Sequence, residues 1–264
     1  MTEIIVITNQ KGGVGKTSTA SALISGLAEK GYRVLAIDMD PQGNLGFCLG
    51  AEIENSPTVY ELMKKTLPIE KIIQRKNGVD IIPSNILLSG AELEFNHIGR
   101  ELLLKNGISS ITASYDFIVI DTPPALNILT VNAYTASNSL IIPMVPEILS
   151  LLGISQLRET IDLVQKFYNP SIKVLGILLN KYDKRRLLTK DVSEMAEIIA
   201  KEMNTIVFET KIRSSVAVAE APAHGESIYN YSSRSNSASD YRDFIKELLK
   251  QEGMNGNGKE KQQN

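Results

Sequence analysis

The segment Lys11-Gly12-Gly13-Val14-Gly15-Lys16-Thr17 combines glycines and cations in a spacing that suits phosphate binding. Glycine allows backbone N–H groups to surround an anion because it has no Cβ atom to obstruct the approach. Lys16 would neutralise the β and γ phosphates of a nucleotide, and the hydroxyl of Thr17 would bind Mg²⁺. Gln10 stands where the G-x-x-x-x-G-K-[ST] motif has its first glycine. The segment nevertheless predicts a P-loop, followed by a helix whose positive dipole end favours phosphate.

Lys11 is a second lysine inside this loop. One P-loop needs only one lysine, so the additional cation requires an explanation. Lys11 could reach a nucleotide bound to a second subunit, as an arginine finger does in trans. The alternative is an ordinary solvated surface lysine.

Carboxylates follow two strand-like runs elsewhere in the chain. Asp38 and Asp40 follow the run that ends at Ile37, and Asp121 follows Phe117–Ile120. Ligands of parallel α/β proteins bind beyond the carboxyl ends of the strands, so these side chains are expected near the P-loop. Asp121 takes the Walker-B position, which holds Mg²⁺ through water, and Asp38 or Asp40 could polarise the attacking water. The alternative for any single one of them is a turn-forming aspartate.

The composition indicates an ordinary globular protein. The chain has 264 residues, of which 43% are hydrophobic and 22% charged, and its formal charge is −2. Any contact with nucleic acid must therefore be a local patch. Cys48 is the only cysteine, which excludes an internal disulfide and a cysteine-paired metal or iron–sulfur site within one chain. No apolar run is long enough to cross a membrane. The apolar stretch near the N-terminus is short and is not preceded by the basic residues of a signal peptide, so a cytoplasmic location is expected.

Strand-like and helix-like segments alternate along the chain, which predicts an α/β fold with a mostly parallel, twisted sheet covered by helices on both faces. We expect a single domain over residues 1–250 and a disordered polar tail over residues 251–264. The amphipathic segment Asp240–Lys250 predicts a helix docked on the domain, and a helix on a membrane surface is the alternative. The predicted strands are Ile4–Ile7, Val34–Ile37, Asp80–Ile82, Phe117–Ile120, Leu140–Ile142, Val174–Leu179 and Thr205–Phe208.

The motifs together resemble the ParA/Soj family of partition ATPases, within the MinD-like group that has a deviant Walker A loop. The loop KGGVGKT is typical of the wider group. The ParA/Soj branch is indicated by VLAIDMDPQGN at 34–44, IIPSN at 81–85 with GAELEF at 90–95, and AEAPAHGESI at 219–228. The resemblance extends from Ile4 to about Leu249.

The resemblance implies a P-loop NTPase fold and an ATP-sandwich homodimer that requires Mg²⁺. Lys11 would cross to the phosphates of the partner, Lys16 would bind its own nucleotide, and Asp40 matches the catalytic aspartate of the family. Asp38 matches an acidic position that is associated with the switch and water network. The residues predicted to bind nucleotide are Lys11, Gly12, Gly13, Val14, Gly15, Lys16, Thr17, Ser18 and Asn180, and those assigned to the metal are Thr17, Asp38 and Asp121.

The segment after Leu179 contains residues that could contact the base of the nucleotide, and two bases are possible. Asn180-Lys181-Tyr182-Asp183 resembles the guanine-recognition motif NKxD of GTPases, whereas the ParA/Soj resemblance implies ATP. An amide can donate and accept hydrogen bonds, so Asn180 is a candidate base contact with either nucleotide.

A basic segment follows directly. Residues 181–190 contain five basic side chains and one acidic side chain, so their charge is about +4. This charge predicts contact with DNA phosphates, and a solvated loop is the alternative. Relatives usually have a proline–arginine pair and another arginine before the AEAP segment, which this chain lacks. The predicted DNA contacts are Lys184, Arg185, Arg186, Lys190, Lys211 and Arg213.

The family resemblance also implies partners. The ATP-bound dimer would bind DNA without sequence preference, and a ParB-type protein bound to the centromere would stimulate hydrolysis and release it. This cycle segregates plasmids or chromosomes, so we expect a cytoplasmic, nucleoid-associated protein without a membrane partner. The alternative is a MinD-like positioning or regulatory ATPase that acts on a protein or a membrane.

Overall fold

Short runs of β-branched residues form one seven-stranded sheet in the computed structural model, which describes residues 2–185 and 187–253. The strand order is β3-β4-β2-β5-β1-β6-β7. All neighbours are parallel except β3 and β4, which confirms the predicted sheet. The strands are β1 Glu3–Ile7, β2 Val34–Asp38, β3 Gln74–Lys76, β4 Val79–Ile82, β5 Phe117–Asp121, β6 Ser139–Met144 and β7 Lys173–Leu179.

Two features of the sheet differ from the sequence prediction. The β3–β4 hairpin was not predicted, although Asn77-Gly78 supplies the two left-handed residues that a tight hairpin turn requires, with φ angles of 48° and 81°. The predicted strand Thr205–Phe208 contributes only a single bridge, from Val207 to Ile177. Its backbone pairs briefly with β7 and then turns away.

Helices cover both faces of the sheet. Alternate residues of each strand face opposite sides, so Ile5 packs with helix residues such as Leu23, whereas Val6 packs with residues such as Leu129. The α-helices are α1 Lys16–Glu29, α2 Asn44–Cys48, α3 Val59–Lys64, α4 Ala91–Glu94, α5 Leu103–Ile108, α6 Ile128–Ala136, α7 Ile148–Phe167, α8 Leu187–Glu202, α9 Val216–Glu220, α10 Ile228–Tyr231 and α11 Asn236–Gln251.

The last helix, α11, is docked on the domain, as expected for an amphipathic segment. Phe244, Ile245 and Leu248 are buried in the cluster that also contains α1. A Cβ atom at Gly26 of α1 would overlap the side chain of Ile245, so the close approach of the two helices requires this glycine. The apolar face of α11 is thus already covered by the protein.

The last described helix continues one residue past 250, where the sequence predicted the domain to end. Helix α11 ends at Gln251, and Glu252 forms an ion pair with Lys173. The rest of the predicted tail, residues 254–264, lies outside the described residues. None of the described helices is both long enough and apolar enough to cross a membrane.

Candidate nucleotide-binding site

The P-loop lies between β1 and α1, at the carboxyl edge of the central strands. Gly13 and Gly15 have φ angles of 72° and 90°, which only glycine adopts readily. Lys16 begins α1 and is buried, and its ammonium lies 3.3 Å from the carbonyl oxygen of Lys11. Burial lowers the pKa of Lys16, while the neighbouring carboxylates of Asp121 and Asp40 act in the opposite direction. The loop therefore holds a buried cation among backbone N–H groups, an arrangement that suits phosphate.

A cavity of about 470 Å³ opens beside this loop. One side consists of Gly12, Gly13 and the first residues of α1, including the predicted Ser18. Asp40 lies on the cavity wall, and Asn180 and the segment 212–215 form the other side. The volume and the mixed polar lining are typical of a small-molecule site.

Thr17, which lines the cavity, contacts Asp121, which is fully buried next to it. The hydroxyl of Thr17 donates to Oδ2 of Asp121 at 2.6 Å, while Oδ1 of Asp121 is buried and accepts no hydrogen bond of normal geometry from the described residues. Burial raises the pKa of Asp121, and Asp40 adds to the effect, whereas the bond from Thr17 and the charge of Lys16 lower it. A divalent cation would supply the charge and the coordination that the free oxygen lacks, so these two residues fit Mg²⁺.

Asp38 is engaged by the backbone of its own neighbourhood. Its Oδ1 accepts from the N–H of Asp40 at 3.0 Å, and its Oδ2 accepts from Leu45 and Gly46 at 2.9 and 3.1 Å. The side chain is fully buried. This carboxyl group fixes the start of α2 and the backbone of Asp40, and its assignment to the metal stays a prediction.

Asp40 lies on the cavity wall, and its Oδ1 accepts a hydrogen bond from the N–H of Gln42 at 3.0 Å. Its role in activating water stays a prediction. The backbone of Asp40 is held by Asp38, whose Oδ1 accepts a hydrogen bond from the N–H of Asp40. A carboxylate so placed can accept a proton from water that attacks a phosphate.

Lys11 points away from the cavity of its own chain. Its ammonium forms an ion pair with Glu147, the residue before α7, and lies 3.4 Å from Oγ of Ser150. Lys11 therefore does not bind phosphate within this chain in this conformation. Its action on a second subunit stays a prediction.

Asn180 is turned toward the P-loop rather than only toward a base. Its Nδ2 donates to the carbonyl oxygen of Val14 at 2.9 Å and to Oγ1 of Thr19 at 3.1 Å. A Cβ atom at Gly15 would lie 2.6 Å from that nitrogen. Its Oδ1 is buried and has no hydrogen-bond partner among the described residues. The predicted base contact thus has a second function that the sequence did not reveal, because the partners lie more than 160 residues away.

Two further contacts at this site were not predicted. Lys181 has a left-handed backbone with a φ of 52°, and its ammonium donates to the carbonyl oxygen of Gly13 at 2.9 Å. Arg213 donates to the carboxylate of Asp240 through its side chain, with its Nη2 at 2.6 Å from Oδ1. Their charges were visible in the sequence, but no local pattern indicated these distant partners.

The predicted DNA contacts do not all form one exposed cationic surface. Lys184 is exposed, Arg185 is exposed but paired with Asp183, and Lys190 lies 3.9 Å from Glu194. Arg186 lies outside the described residues.

Lys211 and Arg213, the other two predicted DNA contacts, form hydrogen bonds within the protein. The ammonium of Lys211 donates to the carbonyl oxygens of Phe208 and Glu209. Arg213 lines the nucleotide cavity and is paired with Asp240. Arg213 thus has a place in the cavity wall, and its side chain is still 49% exposed, so its predicted contact with DNA stays a prediction.

Comparison with known proteins identifies the family. The model of the AAA domain family AAA_31 matches residues 2–174. The sporulation initiation inhibitor protein Soj of Bacillus subtilis is 42% identical over 252 residues, which cover 94% of this chain and 98% of Soj. The chromosome partitioning protein ParA of Myxococcus xanthus is 39% identical, with 94% and 88% of the two chains covered.

A solved structure has the same fold. Cobyrinic acid a,c-diamide synthase from Mycobacterium smegmatis, crystallised with ADP and magnesium, has a TM-score of 0.83 and 33% sequence identity, with 96% of each chain covered. Its name denotes a different activity, so the sequence relatives decide the branch. The chain belongs to the AAA domain family AAA_31 and, within it, to the Soj and ParA partition ATPases.

Proposed function

We propose that this protein hydrolyses ATP in the presence of Mg²⁺ and uses the cycle to segregate DNA, with residues 1–250 acting as one ATPase domain. The observation that carries the proposal is the buried oxygen Oδ1 of Asp121, which accepts no hydrogen bond of normal geometry from the described residues although the other oxygen of the same carboxylate is bound to Thr17. A buried carboxylate oxygen without a partner is costly unless a ligand satisfies it. Thr17 and Asp121 would hold Mg²⁺, which would supply positive charge next to the phosphates of the nucleotide.

The residues of the chain divide the reaction between them. The P-loop N–H groups and Lys16 bind the phosphates, and Asp40 receives the proton of the attacking water. Asn180 lies in the wall of the same cavity and is the candidate contact for the base. ATP is the proposed nucleotide because the relatives include a chromosome-partitioning ATPase and similar solved structures hold ADP or an ATP analogue with magnesium.

Dimerisation on ATP would bring Lys11 of one chain to the phosphates of the other. Exposed apolar side chains lie on elements that follow the carboxyl ends of the strands, where the P-loop also opens. Phe47, Ile86 and Ile148 are 54%, 66% and 60% exposed. Apolar surface around a nucleotide site is expected to be buried when two copies close on ATP.

The dimer would bind DNA without sequence preference, through Lys184, Arg185 and Lys190 of both chains. A dimer neutralises twice as many DNA phosphates as a monomer, so it binds DNA more tightly and its affinity depends more steeply on salt concentration. A ParB-type partner would stimulate hydrolysis and so release the DNA. The protein would then act on the nucleoid, in the cytoplasm.

The second candidate is a MinD-like regulator that acts on a protein or a membrane. The membrane form of this alternative is disfavoured because the apolar face of α11 is buried against α1. An amphipathic helix cannot insert into lipid while its apolar face is covered.

The test is binding of the purified full-length protein to random-sequence DNA with ADP, ATP or a non-hydrolysable ATP analogue, at several salt concentrations. We expect binding with ATP and with the analogue but not with ADP. Liposomes of anionic lipid serve as the second arm. An ATP-loaded dimer that ignores DNA at low salt and binds the liposomes would replace the partition proposal with the membrane alternative.

A further inference from the structure

One wall of the nucleotide cavity is built from the segment Ile212–Ser215, which arrives from a distant part of the chain. Ile212 is fixed to the end of the sheet, because its N–H donates to the carbonyl oxygen of Leu179 and its carbonyl oxygen accepts from Tyr182, both at 2.9 Å. Beyond this point the segment leaves the sheet and runs along the cavity to α9. Its position over the cavity therefore depends on contacts outside the sheet.

Helix α11 supplies that contact through Asp240. This carboxylate is largely buried, with a side-chain exposure of 10%. It accepts from the backbone N–H of Arg213 at 3.0 Å, from Nε at 2.9 Å and from Nη2 at 2.6 Å. One carboxylate thus holds both the main chain and the guanidinium of Arg213, a geometry that fixes orientation as well as position.

The next residue of α11 reaches the cavity too. Tyr241 is buried, and it lines the cavity together with Arg213. Two consecutive residues of α11 therefore act on this cavity, Asp240 through Arg213 and Tyr241 directly.

The helix that carries this pair is itself firmly placed. Phe244, Ile245 and Leu248 follow on its apolar face and are buried against α1 and the sheet. The first two turns of α11 can therefore act as a rigid support for the cavity wall.

We propose that Asp240 is a positioning residue for the nucleotide: it holds Arg213 and the segment Ile212–Ser215 as the wall against which the nucleoside part of the ligand binds. This inference rests on the proposed nucleotide-binding function and specifies which part of the ligand the wall contacts. The triphosphate is bound by the P-loop, which does not contact Asp240. Loss of the Asp240 carboxylate should therefore weaken binding of the nucleoside and leave binding of the phosphates unchanged.

The experiment compares the affinities of the full-length protein for ATP and for inorganic tripolyphosphate, both with Mg²⁺, by calorimetry. Asp240→Asn should weaken ATP binding at least tenfold and change tripolyphosphate binding less than twofold. Asp243→Asn is the matched control, because Asp243 lies on the same helix in an exposed pair with Lys246. That variant should bind both ligands like the wild type.

A second variant is included because Asp240→Asn could reduce ATP binding by destabilising the fold. The double substitution Arg213→Ala with Asp240→Ala removes both partners and leaves no unpaired buried charge. It should show the same selective loss of ATP affinity. ATP binding within twofold of the wild type, or an equal loss of ATP and tripolyphosphate in both variants, would overturn the inference. Failure of the wild type itself to bind ATP would instead refute the proposed function.

Discussion

The ammonium of Lys11 is paired with the carboxylate of Glu147, the residue that precedes α7. The two side chains are 29% and 56% exposed, so the pair lies at the surface. Exposed ion pairs contribute about 0.2–1 kcal/mol. This ion pair holds the ammonium of Lys11 at Glu147. Because the pair contributes so little free energy, a competing phosphate could displace Glu147 from Lys11.

Removing the carboxylate should make Lys11 more available to a second subunit. We expect Glu147→Gln to raise the basal ATPase rate by up to about fivefold, the factor that corresponds to 1 kcal/mol. The rate is measured as phosphate release at several protein concentrations, because an effect through dimerisation depends on concentration. Glu159→Gln, an exposed change on α7, is the control. An unchanged or lower rate in Glu147→Gln would show that the pair does not restrain Lys11.

Asp40 should carry the proton transfer of hydrolysis. The variant Asp40→Asn keeps an oxygen that can accept from Gln42 but removes the basic carboxylate. We expect ATP binding within about threefold of wild type and turnover slower by about 100-fold or more, the range of a lost general base. Calorimetry and single-turnover hydrolysis separate the two effects. Turnover close to that of the wild type would assign the proton to another group.

Asp38 should contribute to stability more than to chemistry. Asp38→Ala leaves three buried N–H groups without their acceptor, and each such group is costly. We expect the free energy of unfolding in urea to fall by about 3 kcal/mol. Asp243→Ala, which removes an exposed carboxylate, should change it by less than about 0.5 kcal/mol. A variant of Asp38 as stable as the wild type would contradict the positioning role.

Arg185 should contribute to DNA binding. Arg185→Glu introduces repulsion where each chain would meet a phosphate, so affinity for random DNA should fall, and the salt slope should decrease by about 1 for each phosphate that is no longer neutralised. Filter binding with ATP over a salt series measures both. Lys76→Glu makes the same charge change on β3, at the opposite edge of the sheet from β7. Equal effects of both variants would indicate that net charge alone governs binding.

Cys48 should react slowly in the folded protein. Burial raises the pKa of its thiol to about 12, and the charges of Asp121 and Asp38 add to the shift. Thiolate is the reactive form, so at pH 8 its fraction is lower by about 10³ than for a thiol with an ordinary pKa near 8.5. Labelling with a thiol reagent should be at least about 100-fold slower than in urea and should accelerate as the pH rises. Equal rates in buffer and urea would mean that α2 opens readily.

The central part of the fold was predictable because its signals are local. Continuous β-branched runs marked the buried strands, and the glycines of the P-loop identified the strand–loop–helix junction. The amphipathic spacing of Tyr241, Phe244 and Ile245 predicted the docked helix. The β3–β4 hairpin could also have been found, from Asn77-Gly78.

The contacts that refine the site were not predictable, because they join residues that are far apart in the chain. Glu147 is 136 positions from Lys11, and Asp240 is 27 positions from Arg213. The charge of Arg213 was visible in the sequence, but its pairing with Asp240 and its place in the cavity wall were not. The residue type and position of Asp38 were visible too, but the backbone donors that it binds become visible only in three dimensions.

The register of β5 has a consequence for how this site could change. Asp121 lies opposite Ile7 on one side and opposite Asp38 on the other. A shift of β5 by one residue would move its carboxylate by about 3.3 Å and turn it to the other face of the sheet. The distance between the predicted metal ligand Asp121 and the P-loop can therefore change only in steps of one residue along the strand. Length variation among relatives should accumulate in the loops between strands, and a single deletion inside Phe117–Asp121 should abolish the site.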